Sequence, residues 1–150
     1  MDSTRHFMEL AFLEAEKSLL LNEVPVGAVI VDNNSLDIIV STHNLIETSK
    51  DPTAHAEIIA IKQACCVLNT TKLSTCSIYI TLEPCMMCAY ALMLARIAKI
   101  YFASFDNKNG AFENKYSIFQ FSNHKPEVYG GILEERGNRL LKNFFKVLRG

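Results

Sequence analysis

The chain has few glycines and prolines, no long hydrophobic run and no excess of one charge, and each absence excludes a class of protein. Six glycines and four prolines among 150 residues exclude a collagen-like or linker-like chain. The longest apolar run, residues 84–95, is too short to cross a bilayer. The acidic first segment, with Asp2 and Glu9, is unlike a signal peptide. We therefore expect a cytoplasmic protein with no membrane partner.

What the chain does have is the composition of a folded domain. Apolar residues make up 49% and charged residues 21% of it, and we expect residues 1–150 to form a single domain with a sizeable core. The net charge is −1, but residues 1–75 carry 5 basic and 10 acidic side chains, whereas residues 76–150 carry 10 basic and 6 acidic ones. The basic second half is a mild indication of an anionic partner, and an ordinary solvated surface explains it equally well.

The hydrophobic periodicity predicts an α/β fold. Helices are predicted over residues 3–21, 53–68, 84–96 and 131–148, and strands over residues 26–31, 36–41, 77–82, 99–103 and 127–129, with a loop at 44–54 and no assignment for 111–126. Pro84 suits the first turn of its helix because its missing N–H costs nothing there. An opening hairpin followed by alternating helices and strands predicts a mixed sheet covered by helices on both faces.

The cysteines and one histidine suggest a metal site. Cys85 and Cys88 lie three residues apart at the start of a predicted helix, so their thiols share one face and can bind one ion. His55 begins another predicted helix and would bring the ligands to three. A structural zinc site uses four protein ligands, whereas a catalytic site leaves the fourth position to water. Glu57 is then the candidate base for that water.

Each part of this pattern has another interpretation when it is taken alone. A Cys-x-x-Cys pair in the cytosol can be a redox pair, and a single histidine at a helix start is usually no ligand. The combination is more specific, because His-x-Glu, then 26 residues, then Pro-Cys-x-x-Cys matches the signature of zinc-dependent nucleobase deaminases. Cys65, Cys66 and Cys76 fit the core better than a metal site.

Around these motifs, the sequence resembles the bacterial tRNA adenosine deaminase family over nearly its whole length. The resemblance is carried by Asn44 and by residues 23–29 (EVPVGAV), 51–57 (DPTAHAE), 81–88 (TLEPCMMC) and 106–111 (DNKNGA). His-Ala-Glu and Pro-Cys-x-x-Cys also occur in cytidine, deoxycytidylate and guanine deaminases, whereas the flanking stretches point to the tRNA enzymes. The family usually has a small residue where Tyr90 stands, and residues 112–121 match loosely.

The resemblance implies a fold, a cofactor and a reaction. The fold is the three-layer α/β/α fold of cytidine deaminases with a mixed central sheet, in a homodimer with one zinc ion per subunit. The reaction is the hydrolytic deamination of the wobble adenosine of a tRNA anticodon stem-loop to inosine. The implied roles are zinc binding for His55, Cys85 and Cys88, proton transfer for Glu57, adenine binding for Asn44, and RNA contact for Asp106, Lys108 and Phe145.

The C-terminal helix adds an indication that does not use the family. On a helical wheel its leucines and phenylalanines occupy one half, and the other half holds the basic residues Arg139, Lys142, Lys146 and Arg149. A basic stripe of this kind can follow phosphates, although an ordinary solvated face has the same pattern.

Two other functions remain open from the sequence. One is a small-molecule deaminase that acts on guanine or on a cytosine nucleoside, since the metal motifs are common to those enzymes. The other is a non-catalytic zinc module. Glu57 argues against that module because a purely structural zinc site needs no general base.

Overall fold

The structure is a computed structural model that describes residues 3–112 and 118–149, so the loosely matching segment 112–121 lies partly outside the described residues. The helices are α1 (Ser3–Leu20), α2 (Ile46–Ser49), α3 (Ala56–Leu68), α4 (Met86–Leu94) and α5 (Glu134–Arg149). The strands are β1 (Gly27–Asp32), β2 (Ile38–His43), β3 (Cys76–Leu82), β4 (Lys99–Ser104) and β5 (Glu127–Tyr129), and a 3-10 turn spans Ile118–Phe121. Within these ranges, none of the helices is long and apolar enough to span a membrane.

The strands form one mixed sheet in the order β2-β1-β3-β4-β5. β1 pairs antiparallel with both β2 and β3, whereas β4 lies parallel to both β3 and β5. Parallel neighbours need a crossover connection, and α4 supplies it between β3 and β4. Cys85 and Cys88 therefore follow the carboxyl end of a central strand, which is where open α/β sheets bind their ligands.

The two faces of the sheet carry separate apolar layers because side chains alternate along each strand. On β1, Ala28 and Ile30 pack with residues of α3 and α4, whereas Val29 and Val31 pack against α1. Leu140 of α5 packs on the same side as α1. The predicted mixed sheet with helices on both faces is thus confirmed.

The β1–β2 turn is longer than the sequence pattern predicts. The carboxylate of Asp32 accepts hydrogen bonds from the N–H groups of Asn34 and Ser35, and Leu36 has a left-handed φ of 63°. These contacts extend the turn beyond Leu36, so β2 begins at Ile38 and not at residue 36.

Backbone geometry also shifts the boundaries of the last two helices. Cys85 is the N-cap of α4, so Pro84 precedes the helix and does not occupy its first turn as predicted. The same helix ends at Leu94 because Arg96 has a left-handed φ of 61°. Similarly, α5 begins three residues later than predicted, after Leu133 with its positive φ of 58°.

The short helix α2 lies where the sequence predicts only a loop. The buried carboxylate of Glu23 accepts hydrogen bonds from the N–H groups of Glu47 and Thr48 and from the Thr48 hydroxyl, at 2.7–3.1 Å. These bonds satisfy donors at the helix start that have no intrahelical acceptor. Because the carboxylate comes from more than 20 residues away, the local sequence pattern does not reveal the helix.

Gly27 opens β1 where the sheet comes closest to α1. A Cβ at this position would clash with the carbonyl oxygen of Ala11 and would lie 2.6 Å from the amide nitrogen of Ala15. We expect Gly27→Ala to lower the free energy of unfolding by about 2 kcal/mol or more, because helix and strand must move apart. Urea unfolding measures the loss. Ser41→Ala, at an exposed position of the edge strand β2, is the control, and a similar loss in both variants would contradict this close approach.

Candidate metal centre and active site

The metal ligands lie at the start of two different helices. His55 is the N-cap of α3 and Cys85 is the N-cap of α4, and both have extended backbone with ψ near 150–175°. Among the described residues, neither side chain makes a capping hydrogen bond to its own helix. Both side chains are therefore available to a metal ion between the two helix starts. Cys88 lies in the first turn of α4, and its sulfur atom belongs to the same cluster.

The three ligand atoms have the spacing of a tetrahedral zinc site. The Nδ1 atom of His55 lies 3.5 Å from the Sγ atom of Cys88 and 3.8 Å from that of Cys85, and all three atoms lie within 4.8 Å of one another. Zinc bond lengths of about 2.1 Å to nitrogen and 2.3 Å to sulfur place tetrahedral ligands roughly 3.5–3.8 Å apart. In the described part of the chain, no fourth His, Cys, Asp or Glu joins this cluster. The donor set thus fits zinc with one open position.

The electrostatics of the cluster favour a cation. The Cys88 thiol donates to Cys85, and together with His55 this lowers the pKa of Cys85 to about 4. The pKa of Cys88 is raised by the same hydrogen bond, and that of His55 is raised by its hydrogen bond with Cys85. These shifts favour the thiolate form of Cys85. Zinc held by the cluster would require both sulfur atoms as thiolates, so its binding would release the remaining proton.

Glu57 lies in the first turn of α3, two residues after the ligand His55. It is 4% exposed, and burial raises the pKa of its carboxyl group to about 7, an effect to which the negative Cys85 also contributes. A carboxyl group with a pKa near 7 can accept a proton and return it at neutral pH. Its position next to the metal ligands therefore suits proton transfer.

The metal cluster opens into a cleft with a volume of about 880 Å³. Its walls bring together residues from Val24 to Phe145, which are 121 positions apart in the sequence. The predicted site residues that line it are Asn44, His55, Glu57, Cys85, Asp106, Lys108 and Phe145, and Cys88 lies buried behind Cys85. The structure therefore gathers every predicted site residue around one cavity that is large enough for a nucleotide.

Asn44 is held by two backbone groups in the cleft wall. Its Oδ1 atom accepts a 2.7 Å hydrogen bond from the N–H of Ala56, the first residue of α3, and its Nδ2 atom donates to the carbonyl of Val24 at 3.3 Å. The side chain thereby caps the helix that carries Glu57. Within the part of the chain that the structure describes, the second N–H of this amide group makes no hydrogen bond.

The candidate RNA-contacting residues lie at the rim. The Oδ1 atom of Asp106 accepts hydrogen bonds from the N–H groups of Lys108 and Asn109, both at 3.1 Å, and so builds the turn that carries Lys108. Phe145, on α5, also lines the cleft and is 42% exposed. The last turns of α5 do not bury their predicted apolar half, since Val147 and Leu148 are also largely exposed.

Glu83 is a further residue of the cleft, and it is not among the site residues predicted above, where it stands only in the stretch around Pro-Cys-x-x-Cys. In the structure Glu83 lines the cleft, is 2% exposed and binds the N–H groups of Asp106 and Phe112. An acidic residue directly after an apolar strand and directly before the metal motif is the signal that could have pointed to it.

Comparison with known proteins agrees with this geometry. Residues 1–104 match the cytidine and deoxycytidylate deaminase zinc-binding region. The tRNA-specific adenosine deaminase of Aquifex aeolicus (strain VF5) is 46% identical over 146 residues, which cover 96% of this chain and 95% of that protein. A solved guanine deaminase of Bacillus subtilis is 35% identical, with a TM-score of 0.63 over 76% of this chain and 71% of that chain.

A second solved structure is more similar to this chain. It comes from biochemical and structural studies of A-to-I editing by tRNA:A34 deaminases at the wobble position of transfer RNA, and it is 40% identical with a TM-score of 0.86 over 91% of this chain and 99% of that chain. It confirms the cytidine deaminase-like fold. The zinc-binding match, together with the cluster formed by His55, Cys85 and Cys88, supports one zinc ion per chain. The chain belongs to the tRNA-specific adenosine deaminase family of zinc-binding deaminases.

Proposed function

We propose that the protein converts the wobble adenosine of a tRNA anticodon loop to inosine by hydrolytic deamination. The observation that carries the proposal is the placement of Glu57 beside a three-ligand zinc site, at the base of a cleft of about 880 Å³. The names of relatives that are 40–46% identical over nearly the whole chain give the substrate. A zinc ion held by His55, Cys85 and Cys88 would supply Lewis acidity and would lower the pKa of a water molecule at the open position.

The protein residues around the open position hold and move protons. Glu57 accepts a proton from the attacking water and delivers it to the ring nitrogen next to the carbon that is attacked, and then assists the departure of ammonia. The remaining N–H of the Asn44 amide binds the adenine edge. A single-stranded anticodon loop is a suitable substrate because its bases are extruded from the stack at low cost.

The rim residues Asp106, Lys108 and Phe145 are proposed to contact the nucleotides beside the target. Phe145 offers an exposed aromatic ring on which a base can stack. The same helix also carries three exposed basic residues, Arg139, Lys142 and Lys146. We propose that their positive charges follow the phosphates of the stem.

We also propose that the protein acts as a homodimer in the cytoplasm, where its proposed tRNA substrate is found. Met87, Tyr90 and Leu94 are 37%, 39% and 66% exposed, and their spacing places them on one face of α4. An apolar stripe of this kind favours burial against a partner. Because Met87 also lines the cleft, a second copy on this face would flank the substrate opening.

Incubation with a synthetic anticodon stem-loop tests the proposal. With adenosine at the wobble position, digestion to nucleosides should show inosine, because the cleft and its base-binding amide accept an extruded adenine. The matched substrates are the same stem-loop with guanosine at that position, free guanine and free cytidine. Turnover of guanine or cytidine in place of the stem-loop would identify a small-molecule deaminase. A zinc-loaded protein with no turnover of any of them would identify a non-catalytic zinc module.

Replacing Glu57 separates chemistry from metal binding. Glu57→Gln should lower turnover by about 10²–10⁴-fold, since the amide cannot carry the proton, while the zinc content stays at one per chain.

In the metal-free protein the same change, Glu57→Gln, should increase thermal stability. The parent must bury a carboxyl group whose pKa has risen from 4.5 to about 7, so its charged form costs roughly 3 kcal/mol at pH 8.

The stability gain of Glu57→Gln should depend on pH. The cost of the buried charge appears as the pH rises from 4.5 through 7, so the stability gain of Glu57→Gln should be larger at pH 8 than at pH 5. Calorimetry in the presence of a chelator measures the difference. Turnover close to that of the parent would remove Glu57 from the mechanism, and an equal gain at both pH values would contradict the raised pKa.

A further inference from the structure

Glu83 joins the metal centre to the loop that forms one wall of the cleft. It follows β3 and precedes the zinc ligand Cys85 by two residues. Its Oε1 atom accepts a hydrogen bond from the N–H of Asp106, and its Oε2 atom accepts one from the N–H of Phe112, both at 3.0 Å. The two oxygens of one buried carboxylate therefore hold both ends of the segment from Asp106 to Phe112, which we call the wall loop.

Backbone contacts run alongside this carboxylate. The N–H of Glu83 donates to the carbonyl of Ser104 at 2.8 Å, and the N–H of Ala111 donates to the carbonyl of Pro84 at 3.0 Å. Cys85 and Gly110 form an isolated antiparallel bridge. The wall loop is thus attached to the same short segment that supplies a zinc ligand, and its position relative to the metal is set there.

Gly110 shows how closely the wall loop approaches the carboxylate. A Cβ at this position would clash with the carboxylate of Glu83 and would lie 2.6 Å from the carbonyl oxygen of Asp106. Even an alanine would therefore push the loop away from Glu83. The turn within the wall loop is closed by the side chain of Asp106, which accepts hydrogen bonds from the N–H groups of Lys108 and Asn109. Asp106 therefore shapes the loop, whereas Glu83 attaches the loop to the metal segment.

We propose that Glu83 is a positioning residue that sets the distance between the wall loop and the metal centre and thereby determines substrate affinity. Asp106, Asn107, Lys108 and Asn109 of the wall loop line the same cleft as the zinc ligands His55 and Cys85. Glu83 acts through these residues and not on the reacting atoms. The identity of the substrate rests on the proposed function, whereas the attachment of the loop does not.

Glu83→Gln tests this role with little change in shape. The amide replaces one acceptor by a donor, so the N–H of Asp106 or of Phe112 loses its partner and the wall loop loosens. We expect the KM for the anticodon stem-loop to rise about tenfold, with kcat within about threefold of the parent and one zinc per chain retained. Glu14→Gln is the matched control, because Glu14 is also a buried carboxylate but bonds to Lys17 and His43 on the α1 side. Its KM should stay within about twofold.

Gly110→Ala disturbs the same attachment from the other side. It should raise KM by a similar factor while leaving the carboxylate in place. If both changes act through the loop attachment, the double variant should show little more than the larger single effect, because the contact can be lost only once. Multiplying effects in the double variant would contradict a shared mechanism.

Hydrogen exchange followed by mass spectrometry measures how firmly the wall loop is held, and it needs no substrate. Amides 106–112 should exchange faster in Glu83→Gln than in the parent, while those of α3 keep the parent's rate. Unchanged exchange in the wall loop, an unchanged KM, or loss of zinc from Glu83→Gln would each overturn the proposal. If the parent itself does not deaminate the stem-loop, the proposed function fails, and the exchange rates still decide whether Glu83 holds the loop.

Discussion

The site depends on two residues, His55 and Cys85, that occupy helix N-cap positions but serve as metal ligands. An N-cap side chain normally accepts hydrogen bonds from the first N–H groups of its helix. Because His55 and Cys85 turn toward the metal instead, another residue must serve the start of α3, and Asn44 does so through the N–H of Ala56. In return, the positive ends of two helix dipoles stabilise the thiolates.

Buried carboxylates hold the surroundings of the cleft in place of apolar packing. Glu23 fixes α2 near one side, and Glu83 fixes the wall loop on the other. A cavity that must admit a nucleotide cannot be filled with side chains, so its walls need support from outside the cavity. Hydrogen bonds to charged acceptors supply that support because they are stronger than bonds between neutral groups.

The residues that could be predicted from the sequence are those whose signals are local. The β-branched runs of β1 and β3 and the metal motifs around His55 and Cys85 are contiguous, and spacing alone brings the two thiols onto one helix face. The hydrogen bonds that could not be predicted from the sequence join residues that are distant along the chain. Asn44 reaches Ala56 across 12 positions, and Glu83 reaches the wall loop across 23 and 29 positions. Only the folded sheet brings these partners together.

Zinc coordination at the two helix starts is the feature on which the site depends, with three protein ligands and one open position. X-ray absorption spectroscopy at the zinc edge of the purified protein measures this coordination. We expect a four-coordinate ion with two sulfur atoms at about 2.3 Å, one imidazole nitrogen and one further light atom from water, both at about 2.0–2.1 Å. A shell with a third sulfur atom or a second imidazole, or a shell of oxygen atoms alone, would contradict it.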